Sequence, residues 1–262
     1  MINFNRVWAL VIRYAIDTRH NYDRLTDVFF LPAMDLFVWG LTGLYLAQLT
    51  NGSENYLYVI LSGLVFWVVV VRAQYEITIN LLVELWDRNL VNLFTTPLKI
   101  SEWISAFMVF GLFKAIIIMS FSALLAFIFY GYNIFSFGGY IILFIVNLLL
   151  TGWAYGFILG GFLIRFGKTI QTIGWVGIML ITPFSAVYYP VSILPHWAQT
   201  VAYFIPSTYI FEEIRRVLFT GAVSYDKLLI SFILNIIYLS FSIWFFVWMF
   251  HKSRRLGLGR LI

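Results

Sequence analysis

The run YLYVILSGLVFWVVVVRAQYEITINL, residues 56–81, decides the fold. No charge interrupts it before Arg72, and its apolar positions follow neither the period of a one-sided surface helix nor the alternation of a half-buried strand. As a helix it reaches roughly 39 Å, more than the ~30 Å hydrocarbon core of a bilayer. Working outward, the polar stretch 50–55 separates it from a similar run over 28–49, and further runs cover 103–130, 135–164, 173–189 and 228–250. The 262 residues are 62% apolar and 11% charged, too little polar surface to cover a soluble core of that size. The sequence therefore predicts an all-α polytopic membrane protein with six transmembrane helices, one domain over 1–262.

Charge placement sets the orientation. With six spans, Arg6, Arg13, Arg19, Arg24, Arg88, Lys99, Arg165, Lys168, Lys252, Arg254, Arg255 and Arg260 fall on one side, 12 of the 17 Lys and Arg residues. Arg215, Arg216 and Lys227 fall on the other. The positive-inside bias then places both termini in the cytoplasm, in the cell inner (plasma) membrane. The net charge of +5 thus reflects span flanks, and no nucleic-acid partner is expected. Residues 190–206 are apolar but carry Pro190, Pro195 and Pro206, so a re-entrant or external hairpin between spans five and six suits them better than a seventh crossing. The whole external segment covers 190–226. At the amino terminus Phe4, Val7, Trp8, Val11 and Ala15 share one helical face, with Arg6, Arg13 and Asp17 opposite. That pattern predicts an amphipathic interfacial helix within 3–26.

Several chemistries find no support. Without cysteine there are no disulfides or thiolate ligands, and His20, His196 and His251 are scattered, so no metal site is expected. Gly167-Lys168-Thr169 resembles the end of a phosphate-binding loop, but Phe162 stands where GxxxxGK[ST] requires glycine and no strand precedes it. It reads as a short cytoplasmic turn. No carboxylate pair with a base and no Asp-rich phosphotransferase signature appears, so catalytic residues are not expected. Gly152, Gly156 and Gly160 line one helical face, a stripe for close helix packing.

Two polar sets stand out. Asp35, Arg72, Glu76 and Lys114 lie inside spans, roughly 8 to 17 Å from the cytoplasmic boundary by helical rise, and their charges cancel. Such charges are costly in hydrocarbon unless paired or hydrated, so they predict either one mutually satisfied ion network or a role in gating or substrate passage. Between the second and third spans, residues 84–98 read ELWDRNLVNLFTTPL. Trp86, Leu90, Leu93 and Phe94 make one helical stripe, with Glu84, Arg88 and Asn92 away from it. Too short to cross and stopped by Pro97, this helix lies on lipid or presents its stripe to a partner's groove.

The loop ending in Thr95-Thr96-Pro97-Leu98 resembles the corresponding segment of exporter permeases of the ABC-2 membrane family. A second match follows in Pro190-Val191-Ser192-Ile193-Leu194-Pro195-His196-Trp197, then Ile205-Pro206-Ser207-Thr208-Tyr209, then Glu212 or Glu213 with Arg215 or Arg216. Many relatives carry Gly-Thr after the acidic residue of the loop, where this chain has Asp87-Arg88-Asn89. The resemblance implies a permease subunit of an ATP-driven exporter, working as a dimer of six-span chains with two cytoplasmic ATPase subunits that bind ATP and Mg. No cofactor is then bound by this chain. It further implies that Glu84, Trp86, Asp87, Arg88, Leu90, Leu93 and Phe94 couple to the ATPase, and that Pro190, Pro195, Trp197 and Pro206 belong to an external cap. The substrate would be amphipathic, such as a lipid, a glycan or a drug-like molecule. The competing expectation is a membrane enzyme or scaffold that holds a lipid-linked substrate, and a secondary transporter using the four charges as an ion relay is a third.

Overall fold

The computed structural model of the protein describes residues 2–49 and 55–255. Residues 50–54 of the predicted loop 50–55 and Arg260 of the basic tail lie outside them. The described residues form helices and connections, with no strand. The α-helices are α1 (Phe4–His20), α2 (Tyr22–Leu49), α3 (Asn55–Trp86), α4 (Leu90–Thr95), α5 (Ile100–Tyr130), α6 (Tyr140–Phe166), α7 (Thr172–Val176), α8 (His196–Tyr203), α9 (Pro206–Thr220) and α10 (Tyr225–Arg255). Five of them, α2, α3, α5, α6 and α10, are long and apolar enough to cross a membrane.

Glycine sets two of the ends. Gly131 and Gly221 adopt left-handed backbone at φ 66° and 72°, where a Cβ would be strained, and so stop α5 and α9. α3 sits innermost and α6 crosses it at close range. A Cβ added at Gly152 would stand 2.5 Å from Ala73 Cβ and 2.6 Å from the Val70 carbonyl oxygen, and one at Gly156 would stand 2.7 Å from Ile77 Cδ1. The small-residue stripe therefore fits α6 onto α3. α10 packs on another face of α6, where Asn235 Nδ2 donates to the Asn147 carbonyl (3.0 Å) and Thr151 Oγ1 donates to Asn235 Oδ1 (2.8 Å).

Several predicted bounds shift. α1 ends at His20 with Asn21 as its cap, and residues 22–26 start α2, so the first long helix begins six residues before position 28. α3 continues to Trp86, taking Glu84 into a long helix. The continuous helix expected over 173–189 does not form. That stretch is α7 followed by short 3-10 turns at Gly177–Leu180 and Thr182–Phe184. Gly174 and Gly177 weaken helix propagation and Pro183 removes a backbone donor, which accounts for the break. The opened backbone is satisfied from outside, since Gln74 Nε2 (3.2 Å) and Thr78 Oγ1 (3.1 Å) both donate to the Gly174 carbonyl.

This broken stretch still travels far. Gln171 Oε1 accepts a hydrogen bond from Trp86 Nε1, Gly174 lies against Leu82 and Thr78, and the Val187 carbonyl reaches Gly63. From residue 86 to residue 63 of α3 is about 34 Å of helix. Accordingly α6 and α10 run parallel, with Phe157 beside Phe246 near one end and Asn147 beside Asn235 nearer the other. Both described ends of the chain meet at Trp103: its indole N–H donates to Tyr14 Oη, and Phe250 packs on its ring.

Candidate functional site

A groove of about 960 Å³ runs along α2, α3 and the broken return. Asp27 and Asp35 line it from α2, Trp67, Arg72 and Tyr75 from α3, and Trp175 and Tyr188 from the return. Trp86 and Asp87 line it at the end where α1 and α10 meet Trp103.

The four intramembrane charges do not form one network. Lys114 Nζ reaches Glu76 Oε1 at 2.6 Å, with both side chains buried. Glu76 Oε2 also accepts from Asn80 Nδ2 (3.2 Å). Arg72 turns away to Asp27, its Nη1 2.7 Å from Oδ2 and its Nη2 donating to the Asp27 carbonyl at 2.5 Å. The guanidinium also lies 5.4 Å from the centre of the Tyr75 ring. Although Arg72 and Glu76 sit one helical turn apart, they serve different neighbours, because one faces the groove and the other faces α5. Asp35 has no ion pair or hydrogen bond among the described residues and is exposed to the groove. Asp27 escaped the sequence reading because it lay ahead of the assigned span. The available signal was its spacing of eight residues from Asp35, which puts both carboxylates on one face of a helix begun at Tyr22.

The helix predicted to present Trp86, Leu90, Leu93 and Phe94 is anchored by those residues instead. Leu90 and Leu93 are buried, Phe94 packs edge-on against Trp103 at 5.2 Å and against Phe250 at 4.6 Å, and Trp86 stacks on Trp175 at 6.2 Å. Most of the apolar stripe is thus turned inward, Trp86 stays partly exposed, and Val91, Asn92, Thr95 and the turn residues Asp87 and Arg88 face outward. Arg88 adopts a left-handed φ of 56°, which reverses the chain between α3 and α4. Glu84 is buried and faces the opposite way: Arg13 Nη2 lies 2.9 Å from its Oε1, and Asn89 Nδ2 donates to Oε2 at 2.7 Å.

α1 clasps the same end. Buried Glu102 accepts from the Asn3 and Lys99 backbone N–H groups (3.0 and 2.9 Å) and pairs with Arg6 at 3.5 Å, while Arg6 also donates to the Pro97 carbonyl. Val7, Leu10, Val11 and Tyr14 face the core, whereas Phe4, Trp8, Ile12 and Ile16 are exposed at four-residue spacing. The predicted single apolar face is therefore split between core and surroundings. Burial, and then the charge of Glu84, push the Tyr14 hydroxyl above its ordinary range, so it stays neutral as the acceptor for Trp103.

At the opposite end, Pro190 leads into a short turn, Pro195 precedes α8, and Pro206 opens α9. Trp197 is exposed and packs edge-on to Phe184 at 5.9 Å. α9 is embedded among the long helices, for Phe211 is buried against Trp67 at 5.8 Å. Arg215 donates to the Ala186 carbonyl (2.6 Å) and pairs with Glu212 (2.8 Å), which itself accepts from the Val191 N–H (2.9 Å). Glu213 accepts from the Ser224 N–H (2.6 Å). Both acidic residues and Arg215 thus fasten the loops around α9, while Arg216 stays exposed.

The described residues contain no His, Cys, Asp and Glu group able to hold a metal ion. Five membrane-length helices packed around a long groove define a multi-pass membrane protein. The chain belongs to the ABC-2 family transporter proteins, whose pattern it matches over residues 40–251. Among curated proteins, none matches it.

Proposed function

We propose that the chain is the permease half of an ATP-driven exporter, acting as a homodimer in the inner membrane with two cytoplasmic ATPase subunits. The observation that carries this reading is α4, a short helix held by its own apolar face and offering a small outward surface at the end where both termini lie. ATP and Mg belong to the partner, whose closure would push on α4. Because α4 shares Trp103 with α1 and α10, and Glu84 ties α1 to the turn before α4, a push there moves three elements together. Transport follows if that motion changes which side of the groove is open.

Six crossings complete the topology, with the broken stretch 172–189 as the fifth. A 3-10 turn rises about 2.0 Å per residue against 1.5 Å for α-helix, which lets a short segment span the core. The parallel course of α6 and α10 supports this, as does the march of the return along α3. Both termini are then cytoplasmic, and 190–226 belongs to the outer half. In that position α1 lies at the interface with Phe4, Trp8, Ile12 and Ile16 in lipid.

Val91→Glu places a charge on the outward face of α4 and leaves Leu90, Leu93 and Phe94 in place. Expressed with its ATPase, this variant should insert and dimerise normally yet lose ATPase co-purification and coupled hydrolysis. Full coupled ATP hydrolysis by the Val91→Glu protein would remove α4 as the transmission element.

A further inference from the structure

Within the groove, Asp35 occupies an unusual electrostatic position. It stands thirteen residues after Tyr22 and fourteen before Leu49, halfway along a membrane-length helix. A carboxylate at that depth is costly unless water or a counter-charge compensates it. Arg72, which lines the same groove, is held by three hydrogen bonds to Asp27 and makes no salt bridge to Asp35.

Aromatic side chains share the groove with Asp35. One turn along α2, Trp39 stacks on Tyr188 with ring centres 5.0 Å apart and planes 11° from parallel, and Tyr188 and Trp67 both line the cavity. Lower in the same groove, the chain already shows how this surface holds a cation. The Arg72 guanidinium rests between the Asp27 carboxylate and the Tyr75 ring. Asp35 and Tyr188 repeat the carboxylate and the aromatic face, with no cation in salt-bridge contact among the described residues. The groove's volume of about 960 Å³ falls in the range, roughly 300 to 1,000 Å³, that takes drug-sized molecules.

We propose that the groove binds an amphipathic organic cation, with Asp35 as its counter-ion and Tyr188, backed by Trp39, as an aromatic wall. This deepens the exporter reading by naming its substrate class. An aromatic body replaces water against Trp67 and Tyr188, while a delocalised positive charge compensates Asp35 without requiring hydrogen-bond donors.

The test uses the purified full chain in nanodiscs of zwitterionic lipid, without any ATPase, so its result does not depend on coupling. Tetraphenylphosphonium and tetraphenylborate, matched in shape and opposite in charge, are compared by equilibrium dialysis. The cation should bind saturably and the anion weakly. Asp35→Asn should weaken cation binding by roughly tenfold or more, and Asp35→Glu should restore most of it. Asp35 makes no ion pair or hydrogen bond among the described residues, so these variants are expected to fold, which the unchanged elution profile of each would confirm. Equal binding of the two ions, or cation binding indifferent to Asp35→Asn, overturns the proposal. Absence of saturable cation binding also overturns it, and cross-linking between copies through a cysteine at position 35 would then identify a second chain as what covers the site.

Discussion

Lys114 and Glu76 meet at 2.6 Å between α5 and α3, away from the groove, and each is the other's only opposite charge among the described residues within salt-bridge distance. Breaking a buried pair leaves one charge without compensation, at about 3 to 5 kcal/mol. Lys114→Met should therefore lower the thermal midpoint sharply, and adding Glu76→Gln should recover much of the loss. Adding Asp35→Asn should recover none, since Asp35 lies on the groove and not on that seam. A rescue by Asp35→Asn instead would restore the single four-charge network expected from sequence. That expectation was legible as far as depth and net charge allowed. It failed because partner choice depends on which way each side chain leaves α3, and one helical turn between Arg72 and Glu76 is enough to send them to different neighbours.

Among the elements, the long apolar helices could be read from composition because hydrocarbon demands length and leaves little choice of residue. Their ends could not. Arg24 and Asp27 made the start of α2 look like a connection, yet Arg24 pairs with Asp17 at 2.8 Å and Asp27 with Arg72, so both are accommodated within a helical turn. Leu90 and Leu93 of the α4 stripe turn inward while Trp86 stays exposed, for periodicity identifies an apolar face without saying whether the chain itself or a partner will cover it. The glycine stripe of α6 carried more information, because a close approach leaves so few alternatives. Gly152→Ala would drive its Cβ into the Val70 carbonyl, where backbone cannot yield as a flexible side chain would. We expect a loss of about 1 to 3 kcal/mol, read as a lower denaturation midpoint in detergent. Gly139→Ala, which meets nothing within 4 Å, serves as the control and should leave the midpoint unchanged.

Across the whole molecule the helices are held unequally. α3 is largely buried within its membrane window, at 72%, whereas α2 and α10 are 28% and 22% buried and leave most of their surface outward. The termini meet at Trp103, so the end bearing α4 is cross-braced by α1, α5 and α10, while the return between α6 and α8 leans on α3 through side-chain bonds to one carbonyl. Its short 3-10 turns lack the continuous i to i−4 ladder that protects amides elsewhere. Deuterium uptake should therefore appear in residues 173–186 well before α3 or the middle of α6, and Gln74→Leu, which removes one of the two donors, should hasten it further. Uptake as slow as that of α3 would mean a rigid return. If it is fast, the protein has placed its least protected backbone alongside its most protected helix, and the cheapest internal rearrangement open to it is a sliding of that one strip while the surrounding frame keeps its shape.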